Sequence, residues 1–391
     1  MDDAATGSRL ALILSGGGAR AAYQVGFLSY LSKEFPKIVP PILTGVSAGA
    51  VNAAFLAAHE EPFPARVAGL RRLWIDLEMS DVFRVDARHL AWQVSRWGAQ
   101  LVSGGSRRQT GVQGLVDTEP LRQLLHRVLN AEGGRLPGIA RNLESGVHDA
   151  VALTTTSYAT GRSVTWVQAS EGSHIQAWER AHRRSVTAAL SVEHVMASAA
   201  LPLFFPAVRL DRSWYGDGGI RLTAPLSPAV HLGADRILAI STRYMRSPEE
   251  AEASAIDGYP PPAQVAGVLL NAIFLDLLDG DALRLERINE LVDALPRERR
   301  NGMRHVELLI LRPSLDLGLL ASEYEIDLPR AFRFLVRGLG THQTRSADML
   351  SLILFQPGYL RRLVALGETD ARARREEIAQ FLGARPSTVP L

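Results

Sequence analysis

Apolar residues in this chain fall into short runs separated by glycine- or proline-rich turns, and the runs alternate between two kinds. Leu10 to Leu14 is continuously apolar and ends in a turn, which predicts a buried parallel strand. Gly16-Gly17-Gly18-Ala19-Arg20 follows, and from Ala21 to Leu31 the residues Tyr23, Phe27, Leu28 and Leu31 recur at helical spacing. Pro41 to Thr44 predicts a second, brief strand. The Ala-, Val- and Leu-rich stretch Ala50 to Ala58 predicts a second helix. Two strand-loop-helix units in succession predict an α/β fold with a mostly parallel sheet.

The pattern continues down the chain. Phe63 to Leu77 reads as a helix opened by Pro62 and Pro64, and Asp117-Thr118-Glu119-Pro120 as the capped start of another that runs to about Asn130. Asp149 to Tyr158 and Ser163 to Ala169 are β-branched and apolar, hence strands. Ser191 to Ala200 is helical and stops at Leu201-Pro202, and Arg236 to Ser241 is a further strand. The stretch Arg246 to Pro262, rich in Ser, Pro, Ala and acids, marks the best internal boundary. Beyond it Gln264 to Leu295 reads as one long helix, His305 to Leu311 as a late strand that completes the sheet, and the chain from Leu328 as mostly helices. The resulting division is a core at 8–245, a segment at 246–327 (linker, long helix and late strand) that packs on it, and a helical C-terminal extension at 328–391.

Two amphipathic stretches stand apart. Between Ser80 and Gly114, Leu90, Val94, Trp97 and Leu101 share a helical face, with Trp92 nearby and Arg84, Arg88, Arg96, Arg107 and Arg108 around them. This basic helix either packs on the core or over the site, the preferred reading, or contacts a membrane surface. The charged run Asp370 to Glu377 reads as a solvated helix face.

Composition narrows the function classes. The 391 residues are 47% apolar and 21% charged with a formal net charge of +2, ordinary for a globular protein. The arginines are interspersed with acids and form no stripe, so no nucleic-acid partner is expected. The absence of cysteine excludes disulfides and thiolate metal sites. No segment approaches the roughly 18 consecutive apolar residues of a membrane span, and no cleavable leader is evident. The expected location is therefore cytoplasmic, with peripheral membrane contact the alternative.

The candidate chemistry begins at Gly45-Val46-Ser47-Ala48-Gly49, a G-x-S-x-G between strand and helix. Such a turn leaves the serine exposed on a strained tip beside backbone N–H groups, and a Cβ at Gly45 or Gly49 would block the tight crossing. A serine needs a base to take its proton, and its attack on an acyl carbon needs donors for the oxyanion. Gly16, Gly17 and Gly18 lie at the carboxyl end of a neighbouring parallel strand, where their amides can converge on one point. Arg20 adds a fixed charge there or braces the loop. The same loop matches G-x-G-x-x-A, but a dinucleotide site expects an acid about twenty residues on, where Phe35-Pro36-Lys37-Ile38 stands. No metal motif is present. Of the histidines after Asp217, His231 falls in a helix, His305 at a strand start and His342 in the tail, and none sits in a loop that aims it at Ser47. Asp217, in Gly216-Asp217-Gly218-Gly219, is either a turn aspartate satisfying its own backbone or, partly buried, a general base with a raised pKa.

Together these motifs resemble the patatin-like phospholipase family, in the family's order and over about the first 240 residues. Gly16 to Arg20 is similar to its oxyanion-hole motif, Gly45 to Gly49 to its serine elbow, and Asp217-Gly218-Gly219 to its D-G-G. Ala197 to Pro202, followed by Phe204-Phe205-Pro206, is similar to the stretch the family carries before that aspartate. One departure is Thr223, six residues after the aspartate, where relatives often have asparagine. The resemblance implies a three-layer α/β fold and a Ser47–Asp217 dyad hydrolysing acyl esters of lipids or phospholipids. It implies no metal or other cofactor. The rival reading is a catalytically silent lipid-binding or scaffold protein on the same fold, which would have no need to keep serine, aspartate and glycine loop together.

Overall fold

The computed structural model describes residues 8–84, 114–173, 175–252, 262–274, 277–324 and 348–383. The basic helix expected around Leu90 to Leu101 lies outside them, as do His342 and the first twenty residues of the expected extension.

Among the described residues, ten strands form one sheet: β1 (Leu10–Leu14), β2 (Ile42–Val46), β3 (Ala150–Ser157), β4 (Ser163–Ala169), β5 (Glu179–Arg180), β6 (Arg183–Thr187), β7 (Val208–Leu210), β8 (Ser213–Asp217), β9 (Arg236–Ile240) and β10 (Glu307–Leu311). Their order is β10-β9-β1-β2-β3-β4-β6-β5, with β8 paired to β3 and β7 to β8. From β10 to β3 every neighbour is parallel, and antiparallel pairing enters with β4 and β8. The late strand β10 extends the parallel sheet beside β9.

Side chains alternate across the strands with period two. Leu12, Leu14, Leu43, Val151, Leu153, Leu238 and Ile240 enter one core, and Ala11, Ile13, Ile42, Ala150, Ala152, Ile237 and Ala239 a second, smaller one. The first core lies under the helices α1 (Ala22–Glu34), α2 (Ala48–Ala58) and α3 (Phe63–Asp76), and the second under Ser227–His231 and Leu277–Ala294. The molecule is therefore a three-layer α/β fold. Of the long helix expected over Gln264 to Leu295, the described residues show Pro262–Phe274 and Leu277–Ala294 as helical, and residues 275 and 276 lie outside them.

The helix Pro357–Ala373 forms a further layer on α1, which explains why α1 is buried nearly all round. Two glycines make that close approach possible. A Cβ on Gly26 would overlap the Val364 carbonyl, and one on Gly367 would overlap that of Tyr23. Asp370 departs from the reading of its run as a solvated face, while Arg372, Glu376 and Glu377 are exposed. Asp370 is 6% exposed and accepts hydrogen bonds from the Tyr23 hydroxyl (3.0 Å), the Ser314 amide (2.9 Å) and the Ser314 hydroxyl (2.6 Å). The sequence run could not show this, because its partners come from distant elements. Among the described residues, no helix is long and apolar enough to cross a membrane.

Candidate active site

Strands β2 and β8 meet end to end along one edge of β3. β2 pairs Val46 with Thr154, and β8 then takes over in the opposite direction, pairing Asp217 with Thr155. Ser47, the residue after β2, and Asp217, the last of β8, therefore meet at one junction. The sequence pattern expected a tight turn around Asp217. The five-residue strand was missed because its partner is the far half of β3, which β2 does not reach.

Ser47 leaves β2 with φ 56° and ψ −132°, a strained conformation for a residue with a side chain, and α2 begins at the next residue. A Cβ at Gly49 would overlap the Leu14 carbonyl, and one at Gly45 would sit 2.7 Å from the Ala50 Cα, so the elbow glycines let α2 cross close over the sheet. The Ser47 amide donates to the Ser198 hydroxyl (3.0 Å), which donates to the Thr154 carbonyl (2.7 Å). Two residues on, the Ala200 carbonyl accepts the Asp217 amide (3.0 Å). One short stretch thus holds both halves of the junction. The Thr156 hydroxyl also donates to the Asp217 carbonyl (2.8 Å).

Asp217 is completely buried. Its Oδ1 accepts the Gly219 amide at 2.8 Å, while its Oδ2 has no hydrogen-bond partner. Desolvation pushes its pKa up to about 7, opposed by the Ser47 hydroxyl and the Gly219 amide. The Ser47 hydroxyl is thus near enough to act on the carboxyl without closing a full hydrogen bond, a common state of catalytic contacts before substrate binds. Gly218 permits the junction, since a Cβ there would overlap the Thr154 carbonyl.

The glycine loop lies against this pair. A Cβ on Gly16 would sit 3.1 Å from the Ser47 Cβ. Gly17 (φ 144°) and Gly18 (φ 55°) take positive dihedrals, and among the described residues their amides donate no hydrogen bond outside the short helical turn that Gly18 opens. Three late residues fix the loop. The Thr242 hydroxyl donates to the Gly16 carbonyl (2.7 Å), and Arg20, 3% exposed, donates to the Ser351 hydroxyl (2.7 Å) and pairs with Asp348 (2.7 Å). The Arg20 guanidinium therefore faces the helix Asp348–Ile353 beneath the loop. Ser198, Thr242, Asp348 and Ser351 carried no motif that sequence reasoning could use, although Ser198 lies in the stretch quoted for the resemblance.

Among the described residues no histidine bonds Ser47 or Asp217. His231 stacks on Trp178 (4.7 Å between rings), and His305 bonds Asp293 (2.8 Å). No group of three or more His, Asp or Glu side chains among the described residues is placed to hold a metal ion. Ser47, Gly17 and Gly18 border an apolar cavity of about 780 Å3, open space at its mouth included, walled by Trp74, Leu77, Leu121, Leu125, Phe205 and Phe355. A hydroxyl beside a buried carboxyl that titrates near neutrality, unused amides and an apolar cavity suit acyl transfer from a hydrophobic ester.

Known proteins give the following relations. No curated protein sequence matches significantly. Similar solved structures include VipD from Legionella pneumophila, at 13% identity over 96% of this chain and 75% of that one, with a TM-score of 0.36. Human GIVD cytosolic phospholipase A2, in complex with methyl gamma-linolenyl fluorophosphonate, is 14% identical over 96% of this chain and 59% of its own, with a TM-score of 0.45. This chain thus spans about three fifths of the human protein's length. The family model described as patatin-like phospholipase matches residues 12–230, more than half the chain, from β1 through the serine elbow and Asp217. The chain belongs to the patatin-like phospholipase family.

Proposed function

We propose that the protein hydrolyses acyl esters of lipids, as a phospholipase A or lysophospholipase, through Ser47 and Asp217. The observation that carries this reading is the buried Asp217 carboxyl, with a pKa near 7 and an unpartnered Oδ2, at the same strand junction as Ser47. A base of that pKa is well matched to neutral pH. In the first step the Asp217 carboxylate takes the Ser47 proton as the serine Oγ bonds the acyl carbon. The resulting oxyanion is met by amides of Gly16, Gly17 and Gly18. Collapse breaks the ester C–O bond, and the leaving oxygen departs with the proton from Asp217. In the second step water gives a proton to Asp217 and attacks the acyl-serine. The fatty acid leaves, and Ser47 recovers its proton. Arg20 acts as a brace for the glycine loop through Asp348 and Ser351. Gly45 and Gly49 permit the elbow, Gly218 permits the strand junction, and the Gly219 amide holds the carboxyl. The substrate class makes the partner a lipid surface, met peripherally.

Fatty-acid release from phospholipid vesicles, together with labelling by a fluorophosphonate probe, tests the reading. Wild-type protein should be labelled at Ser47 and release fatty acid, and Ser47→Ala should do neither. An unlabelled, inactive wild type would instead favour the silent lipid-binding role.

A further inference from the structure

Among the described residues, five other than glycine take a positive φ, and three of them are Asn or Asp, which enter the left-handed region most readily. The fourth is Ser47, at the serine elbow. The fifth is Leu203, at φ 66°. A leucine gains nothing from that conformation by itself, so the surrounding structure must impose it. Leu203 is also the most exposed large apolar side chain among the described residues, at 72%. Backbone strain and hydrocarbon held in water thus fall on one residue.

The turn that carries Leu203 is held from both sides. The Leu115 amide donates to the carbonyls of Leu203 (3.2 Å) and Phe204 (2.9 Å), the Val116 amide to that of Phe204 (3.2 Å), and the Phe205 amide to that of Leu201 (2.8 Å). A Cβ on Gly114 would lie 2.6 Å from the Pro206 nitrogen, so the two segments pass as closely as backbones can. The neighbouring side chains turn inward. Leu201 and Phe205 wall the cavity beside Ser47, and the Phe204 ring meets that of Phe83 edge-on at 5.4 Å. Of these four residues, Leu203 alone is exposed.

The position of the turn says what covers that side chain. Ser198 holds the Ser47 amide, and Ala200, three residues before Leu203, holds the Asp217 amide. Three residues span at most about 11 Å, so Leu203 stands near the reacting centre, beside the cavity that Leu201 and Phe205 wall. A substrate with an aliphatic chain reaches that cavity from a lipid aggregate, and hydrocarbon is what an exposed leucine lacks.

We propose that Leu203 is an interfacial anchor, whose side chain enters the hydrocarbon of a lipid surface and sets the mouth of the Ser47 cavity against it. The turn is already fixed, so docking requires no ordering of the loop. The proposal rests on the reading of Ser47 as acting on lipid esters.

The test uses phosphatidylcholine vesicles and, so that they stay intact, the Ser47→Ala protein. The chain has no cysteine, so Leu203→Cys can carry a single nitrobenzoxadiazole label. Glu171→Cys carries it at the opposite end of the sheet, exposed just beyond Ala169, which pairs with the first residue of β3. Vesicles should brighten and blue-shift the label at position 203 and leave that at 171 unchanged. Leu203→Asn should lower vesicle partitioning about ten-fold or more, the scale set by burying one leucine. It should melt no lower than its parent, because asparagine accepts the left-handed region. With Ser47 restored, its kcat/KM on vesicles should fall at least about ten-fold relative to that on a monomeric short-chain ester. A label at 203 that stays in water overturns the proposal, as does unchanged partitioning. A lower melting temperature also overturns it, by giving Leu203 a role in the fold, and so does a change in sedimentation alone, by making the covering surface a second copy of the chain. The binding measurements need no catalysis, whereas a wild type that hydrolyses neither ester and takes no fluorophosphonate label refutes the Ser47 reading instead.

Discussion

Replacing Asp217 by asparagine removes the proposed base and, in the same change, a charge held away from water. Asp217→Asn is predicted to abolish ester hydrolysis and to become more stable relative to wild type as pH rises. The side chain is fully buried, and desolvation carries its pKa from 3.8 to about 7 against the opposing Ser47 hydroxyl and Gly219 amide. Between those values the folded protein holds a proton that the unfolded chain has released. Stability therefore falls as pH rises through the window, and the loss is complete just above 7. At 1.36 kcal/mol per pH unit the full loss is ~4 kcal/mol, of which ~2.5 kcal/mol falls between pH 5 and pH 8. Asparagine keeps the shape and an oxygen for the Gly219 amide (2.8 Å), and it does not titrate. Its NH2 replaces an Oδ2 that has no partner, which costs about 1–3 kcal/mol at every pH and leaves the slope untouched. With an unfolding entropy of about 2.1 cal/mol/K per residue, a chain of 391 residues shifts its melting temperature by ~1.2 °C per kcal/mol. The assay is thermal melting of both proteins at pH 5, 6, 7 and 8. The melting temperature of the variant minus that of wild type should rise by ~3 °C across the series, and kcat/KM of wild type should climb through about pH 7. A difference that stays flat with pH would refute the reasoning, because Asp217 would then ionise alike in both states.

The elbow is strained as well, with Ser47 at φ 56°. Ser47→Gly should melt at or above Ser47→Ala, by up to ~2 kcal/mol, with both inactive; a less stable glycine variant refutes the strain. Ser198→Ala removes the bridge from the Ser47 amide to the Thr154 carbonyl, and should lower kcat about 10–100-fold and stability by ~1–2 kcal/mol, with KM little changed. An unaltered kcat in steady-state assays would show that the bridge does not position Ser47. Arg20→Met leaves Asp348 without its buried partner and should cost about 3 kcal/mol in urea unfolding. A double-mutant cycle with Asp348→Ala should return a coupling above ~1 kcal/mol, and additive losses would refute the brace.

Local pattern carried much of this molecule and stopped at definable places. Leu10 to Leu14 was legible as a parallel strand, because a strand buried on both faces is apolar throughout, and Arg236 to Ser241 as a strand from the apolar run after Arg236. The elbow was legible because its G-x-S-x-G is a local motif, in which Gly45 answers a contact with Gly49 and Ala50 a few residues away, although Gly49 answers the distant Leu14 carbonyl. β8 was not, since Trp214-Tyr215-Gly216-Asp217 has the composition of a turn and becomes a strand only by meeting β3 beyond the end of β2. Asp370 looked solvated because its run is charged, and its partners Tyr23, on α1, and Ser314, in the bend after β10, come to it from distant parts of the chain. The Arg20–Asp348 pair spans 328 positions and has no local signature.

That pair also explains why residues beyond the family match matter to the site. Three successive glycines are the least ordered backbone a chain can supply, so a loop of them holds fixed amides only if something outside it removes the freedom. Thr242 binds the Gly16 carbonyl from the end of β9, and Asp348 and Ser351 hold Arg20 from below. The Leu352 carbonyl lies so close to Gly18 that a Cβ there would overlap it. All four residues follow position 230, where the family match ends. The helix Asp348–Ile353 is followed directly by Pro357–Ala373, whose Gly367 is pressed into α1. The order of the glycine loop is thus supplied by tertiary packing of the late chain, and it should loosen wherever that packing does, with the serine elbow itself intact.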